Sequence, residues 1–553
     1  MSKTVATFVF KFVSVGICLG IIGMTGADLL NASVVYSTVV SVKPTGIGNV
    51  YWPSDHALPT FAQPQSLDVA VLTNTTGDVN VLFATLQGIV NRVRPQIYLV
   101  ENHQQVGEDA NWLHDLHRPY IIHSNPWEIV QKYRQLLNGV IVYDPRLMDT
   151  INVATTMAGL YNGVVASPAL AQKLTRAPYY LPIIQDLRGR FATNLAANLW
   201  QFQHLWPSTT HRMLIGLSPS TDFKYTCTKC DPSGFLRDYA VANRAMVFWL
   251  PVRRADTVAL FRRILAAVKP GTPYLGWYDS EFKGVRLAST YGVYTVAADF
   301  LSNLTVFSGV PASMYGIKKI ASLPLRNKIY VTLTMSEGDN LQYNQNGMRA
   351  LWDSPARGTI PLNWTISPLL VDAAPAILSY YQQTASRNDL LVSGPSGAGY
   401  FYPSGWPVRN LSSFLQYSNM YLKRANLHIV MDLEDGQPMP LAVEKNYSEQ
   451  SHLQGVLFSW WNAYSCIRII HGMIPISSQL SASSRVGLLK TLRANAAHWN
   501  GRSPLFISAL AIAWNLSPAD LAYVVGHLGP RFVVVRGDQY FQLIRQAYKL
   551  PAF

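Results

Sequence analysis

Ile329-Tyr330-Val331-Thr332-Leu333-Thr334-Met335, running directly into Ser336-Glu337-Gly338-Asp339-Asn340, decides how the second half of the chain is read. The first seven residues are β-branched or apolar almost throughout and read as a strand. The next five form a polar turn with a glycine and two acids. Further strands are expected at 427–431, 505–512 and 532–536, and helices at 371–385, 411–425, 483–498, 518–528 and 538–548. Strand–helix alternation over 326–553 builds either a (β/α) barrel or an open α/β sheet. We expect the barrel, with room for an irregular or incomplete one.

A barrel places its active site at the C-terminal ends of its strands. Glu337 and Asp339, two apart, point the same way if the chain stays extended there, with Asn340 beside them as a substrate contact. Acid and base work on one bond uses two groups placed on either side of it. A pair only two residues apart rarely brackets one bond, so a partner is sought elsewhere. Asp432 and Glu434 rank first, because Met431-Asp432-Leu433-Glu434-Asp435-Gly436 follows the strand 427–430. Asp389 ranks below them. The competing readings are a helix cap at Asp339 or Asn340, a calcium loop built from the same oxygens, and a polar turn at 432–435. Asp372 reads as a helix cap.

Gly397-Ala398-Gly399-Tyr400-Phe401-Tyr402-Pro403 is the second informative stretch. Its glycines permit a sharp bend or close backbone approach. Tyr400 and Tyr402 project to one side of an extended segment, and their amphipathic rings suit a sugar face. Gly397, Gly399, Tyr400, Tyr402 and Trp406 are therefore candidate substrate-binding residues. Trp352, Trp364, Trp460 and Trp461 are further possible platforms, although each alone is more often core. This G-x-G-Y-x-Y-P pattern, with its flanks from Asn388 to Pro407, resembles the GxGYxYP family of glycoside hydrolases. Leu86-Gln87-Gly88-Ile89-Val90-Asn91-Arg92, Leu181 to Phe191, Leu236 to Ala242 and Gly276-Trp277 through Glu281 to Val285 are similar to that family as well. The resemblance covers roughly residues 65 to 550 and implies glycan processing. It transfers no catalytic residue.

Composition narrows the alternatives. At 553 residues with 49% hydrophobic and 14% charged content, the chain is globular and too long for one core. The net charge of +14 is spread out, with no Lys or Arg run longer than two, so a nucleic-acid partner is not expected. No G-x-S-x-G, H-E-x-x-H, Walker A or strand-following G-x-G-x-x-G occurs. His114, His117 and His123 read as surface or packing residues. Cys227 and Cys230 are expected to form a local disulfide, zinc being disfavoured for want of a second ligand pair. Cys466 is expected to be a buried thiol. No metal site or cofactor is expected beyond the weak calcium alternative.

Lys3 and Lys11, the apolar stretch 12–24 and Thr25-Gly26-Ala27 read as a secretory signal cleaved after Ala27. An uncleaved anchor is the alternative. Seven N-x-S/T sequons fall at Asn31, Asn74, Asn303, Asn363, Asn410, Asn446 and Asn515, with 363 and 515 doubtful because they sit in apolar text. The expected organisation is a signal (1–27), an extended leader (28–64), three small α/β domains (65–135, 136–215, 216–325) and the C-terminal domain (326–553). Asp78 is a possible cap for a helix over 78–90. The expected function is secreted, carboxylate-driven glycoside hydrolysis on a carbohydrate substrate, without a stable membrane span. A non-catalytic secreted glycan-binding protein is the alternative.

Overall fold

The computed structural model describes residues 51–101, 108–220, 231–450, 452–462 and 465–553. The signal segment, most of the leader, Cys227, Cys230 and the side chains of Trp460 and Trp461 lie outside the described residues. Four parallel sheets follow one another. The first holds β1 (Leu67–Val71), β2 (Ile97–Val100) and β3 (Tyr120–His123), with β1 in the middle. The second holds β4 (Gly139–Val142), β5 (Gly163–Ala166) and β6 (Ile183–Asp186), with β4 in the middle. The third is four-stranded: β7 (Thr210–Gly216), β8 (Ala245–Phe248), β9 (Thr272–Gly276) and β10 (Val293–Val296), in the order β10-β9-β7-β8.

The C-terminal region carries β11 (Ile329–Met335), β12 (Leu362–Ile366), β13 (Asp389–Ser393), β14 (Ile429–Leu433), β15 (Gly455–Asn462), β16 (Ile467–Ile470), β17 (Ile474–Ala482), β18 (Leu505–Ala511) and β19 (Phe532–Val534). Seven of them close into a parallel barrel in the order β11-β12-β13-β14-β15-β17-β18. Two features make it irregular. The crossover from β15 to β17 carries the antiparallel strand β16 where its neighbours carry helices. In addition, β11 pairs with β19 over Ile329–Val331 but with β12 only at Thr334–Met335. Asn363 spans that split. Its Nδ2 donates to Thr332 and Thr334 at 2.9 and 3.1 Å, and its Oδ1 accepts from Gly537 N at 2.7 Å. The helix Gly537–Ala547 thereby packs Tyr540, Phe541 and Ile544 against Leu390, Ile429 and Leu457 of the barrel.

The smaller units are sewn to one another by buried polar side chains that leave few groups unmet. Arg92 donates to Gly159 O, Val241 O, Ala242 O and Asn162 Oδ1. Gln87 and Asn91 reach Asn303 and Thr305 at 2.7 and 3.0 Å. The polar side chains of the 86–92 segment therefore serve the junction between units. One hydrophobic core runs from the first and third units into the barrel. Among the described residues, no helix is long and apolar enough to cross a membrane.

Several local expectations are corrected. Thr76, not Asp78, occupies the cap position of the helix Gly77–Asn91. Asp372 caps nothing; it is buried and takes Arg424 at 2.5 Å together with the Tyr421 hydroxyl. Cys466 is free but exposed. Asn363 and Asn303 are buried, so these two sequons are closed in the folded chain, whereas Asn515 is exposed. Asp389 opens β13, so it lies at the strand's N-terminal end, away from the rim where a barrel binds substrate. It is fully buried, paired with Arg357 at 2.7 Å, and accepts from Trp364 Nε1 at 3.0 Å. We therefore expect Asp389→Ala to cost roughly 3–5 kcal/mol by stranding Arg357. Thermal unfolding measures this loss, and ligand binding per folded molecule should stay unchanged.

Candidate active site

The loop after β11 is drawn tightly over the barrel rim. Gly338 N donates to Thr365 Oγ1 at 2.8 Å, and a Cβ added at Gly338 would come within 1.9 Å of the Thr365 carbonyl carbon. Only glycine fits there. Its neighbour Glu337 takes the strain, with φ at +78°, a conformation costing about 1–3 kcal/mol that clusters at functional sites. The result turns Glu337 and Asp339 into one cavity of about 410 Å³ at the C-terminal face of the barrel. Asn340 lines it too, its Nδ2 3.4 Å from Glu337 Oε2. Asn340 occupies the cap position of the following helix, but its side chain makes no cap hydrogen bond.

The other wall comes from the third unit. Glu281, at the start of the helix Glu281–Thr290, and Asp299, beyond β10, face the same cavity as Glu337 and Asp339. Trp277 and Trp514 border it, the latter 54% exposed. Ser459 and Ser481 line it from the barrel strands. Glu281, Asp299, Trp277 and Trp514 were not singled out from the sequence. Glu281 and Trp277 lay inside a family-like segment, but nothing there ties them to residues beyond 330. For Asp299 and Trp514 no sequence signal is evident.

Burial, and for Glu337 and Asp339 also neighbouring carboxylates, holds these acids toward their protonated forms. Burial, aided by the nearby Glu281, pushes Glu337 up to about 7, against the lowering effect of the Ser336 hydroxyl at 2.7 Å. Asp339 is raised well above the carboxylate range by burial, then by Glu337 and Glu281. Burial lifts Asp299 to about 6. Glu281 is also raised by burial, but its Oε1 accepts the Tyr400 hydroxyl at 3.0 Å, which favours the ionised form.

Asp432 and Glu434, the partners expected from sequence, do not line this cavity. Met431 and Leu433 do, and side chains alternate along a strand, so 432 and 434 point outward. There both are fully buried. Asp432 takes the Tyr447 hydroxyl at 3.2 Å, and Glu434 accepts Ser404 N at 2.9 Å. Burial raises both, and Asp432 raises Glu434 further.

The 397–403 loop is a joint rather than an open sugar platform. Thr295 and Tyr400 exchange backbone hydrogen bonds of 2.8 Å in each direction, so the loop pairs with β10. Gly399, at φ +145°, lies against Tyr294, where an added Cβ would meet the ring at 2.4 Å. Gly397 sits beneath Ser418, whose Oγ accepts from Ala398 N at 2.8 Å. Tyr400 and Tyr402 are buried in the core of the third unit, their hydroxyls 3.1 Å apart. Of the two, only Tyr400 borders the acid cavity. Trp406 is buried against Phe414 at 4.3 Å and faces a different hollow. Trp352 and Trp364 are core residues packed on each other. Among the described residues, no group of three or more His, Cys, Asp or Glu is placed to hold a metal ion.

Fold and cavity together define a barrel protein with a carboxylate-lined pocket completed by an accessory α/β unit. The chain belongs to the GxGYxYP family: residues 327–545 match the GxGYxYP putative glycoside hydrolase C-terminal domain. Residues 66–138, 137–209 and 223–309 match its first, second and third N-terminal domains. The crystal structure of a putative hydrolase from Bacteroides thetaiotaomicron shares the fold, with a TM-score of 0.80 at 23% identity, over 92% of this chain and 100% of that one. No curated protein matches the chain.

Two substitutions test the joint. Gly399→Ala should cost at least about 1–3 kcal/mol through backbone strain and the Tyr294 contact. Tyr400→Phe should cost about 1–3 kcal/mol by leaving Glu281 short of a donor. Denaturant unfolding reads both, and near-wild-type stability in both would mean the loop is not a joint.

Proposed function

We propose that the chain hydrolyses a glycosidic bond in the cavity between barrel and third unit, with Glu337 as general acid and Glu281 as its carboxylate partner. The observation that carries this reading is that carboxyl groups from two separate units converge on one cavity at the barrel's C-terminal face. Glu337 retains its proton near neutrality and can deliver it to the leaving-group oxygen. Glu281 is raised overall by burial, with the Tyr400 hydroxyl acting the other way, and once ionised it can activate water or attack the anomeric carbon. Asp339 and Asn340 shape the Glu337 side of the pocket. The indoles of Trp277 and Trp514 offer flat faces for a sugar ring. The substrate is a carbohydrate, and residues 1–27 act as a secretory signal, a reading supported by their charge and apolar pattern.

The test is turnover of an aryl-glycoside and polysaccharide panel, with folding checked by circular dichroism. Glu337→Gln and Glu281→Gln should each lose about 10²–10⁴-fold in kcat. The Glu337→Gln loss should shrink on a dinitrophenyl glycoside, whose leaving group needs no proton. Glu434→Gln should retain turnover. A fully active Glu337→Gln would remove that residue from the mechanism. Binding without turnover in the wild type would make the protein a glycan-binding one.

The pH dependence has a definite sign. The acid works only while protonated, so kcat/KM should fall as pH rises through about 7, by about tenfold per unit above it. Glu337→Gln should abolish that limb. A limb that persists unchanged in the variant assigns it to another group.

A further inference from the structure

The acid cavity has a composition that a neutral sugar does not account for. Four carboxyl groups, from Glu281, Asp299, Glu337 and Asp339, face it, and among the described residues no Lys, Arg or His lines it. This occurs in a chain whose net charge is +14. Elsewhere some buried acids are neutralised by arginine, as Asp389 by Arg357, Asp372 by Arg424 and Glu444 by Arg468, while Asp432, Glu434 and Asp238 are held by hydrogen bonds alone.

A second observation points to a ligand. Asp299 is only 7% exposed and lines the cavity, yet its Oδ1 has no hydrogen-bond partner. The Gln342 side chain hydrogen-bonds the same carboxyl group and favours its ionised form, but Oδ1 is left without a partner of its own. An unmet, buried carboxylate oxygen costs about 1–3 kcal/mol or more, which a charged donor on a ligand would offset most fully. Two indoles border the same space, and ammonium groups are attracted to indole faces.

We propose that this cavity recognises a glycoside bearing a free primary ammonium, as in a 2-amino-2-deoxy sugar with an unsubstituted nitrogen, with Asp299 taking the ammonium. The inference rests on the reading that the cavity binds a glycan. An ammonium donates three hydrogen bonds and carries the charge that the protein withholds here. An N-acetylated sugar adds bulk and carries no charge. A hydroxyl at the same carbon donates once and leaves the carboxylates' mutual repulsion in place.

The experiment uses the full chain and matched methyl glycosides in the gluco and galacto series, identical except for amine, acetamide or hydroxyl at C2. Ligand-observed NMR and calorimetry at about pH 6 give the dissociation constants. The amine member should bind at least about tenfold tighter than its two counterparts. Asp299→Asn should remove most of that preference while circular dichroism stays unchanged. Should that variant fail to fold, salt provides the second measurement. The wild-type preference should shrink several-fold as ionic strength rises from about 0.05 to 0.5 M. Equal binding of the three members, or preference for the acetamide or hydroxyl, overturns the ammonium assignment and leaves the glycan reading standing. Failure of every member to bind, with calcium chloride titrating the same carboxylates instead, overturns it in favour of a cation site. Hydrolysis is judged separately on the glycoside panel, so the two readings fail independently.

Discussion

The pairing of Tyr400 with Thr295 is the constraint on which the site depends. Two backbone hydrogen bonds of 2.8 Å join a loop of the barrel domain to β10 of the third unit. Around them Tyr400 and Tyr402 fill that unit's core, and Ser289 Oγ accepts from Tyr402 N at 3.0 Å. A second seam lies close by. Leu341 N donates to Ala297 O at 3.0 Å, and Gln345 Nε2 donates to Ser302 O at 3.1 Å. Arg286 adds an ion pair to Asp435. Without these seams, the barrel would hold Glu337 and Asp339 alone, because Glu281, Asp299 and Trp277 all arrive on the third unit.

The energetics run against assembly at the centre and in its favour at the edges. Four acids crowd one cavity, Glu281 raising the proton affinity of Glu337 and both raising that of Asp339, and Glu337 sits at a strained φ. Such features persist only where the surroundings over-determine them. Here the surroundings are the buried aromatic joint and the continuous core that links the first and third units to the barrel. Stability stored at the joint offsets what the cavity costs, a division expected where function needs unfavourable local arrangements.

How much of this was legible in the sequence follows from which interactions are local. The strand 329–335 and its acidic turn were readable because β-branched residues and a polar glycine turn act within a few positions. The helix expected at 538–548 forms as Gly537–Ala547 for the same reason. Asp432 and Glu434 were misjudged because a strand's period of two says that alternate residues diverge, not which set faces the lumen. That choice is made by Met431 and Leu433, which the pocket side takes. Asp389 was misjudged because it is the first residue of its strand, and a strand's two ends have opposite meanings in a barrel. The loop tyrosines have a ring chemistry equally suited to sugar stacking and to core packing, and the neighbouring sheet decides for the core. Glu281 and Asp299 reach the cavity only through tertiary docking, which no local pattern encodes.

Because the third unit supplies two of the four cavity acids, docking and assembly of the acid cluster go together. A displacement that separated Tyr400 from Thr295 would withdraw Glu281 from Glu337 and expose buried tyrosine rings at once. The electrostatic repulsion among the acids pushes toward that opened state, and the buried joint resists it. A ligand lying across the seam and satisfying carboxyl groups from both sides adds to the resisting side alone, since the opened state offers it no complete site. The conspicuous glycine–tyrosine signature belongs mainly to that joint, with Tyr400 also reaching the cavity wall.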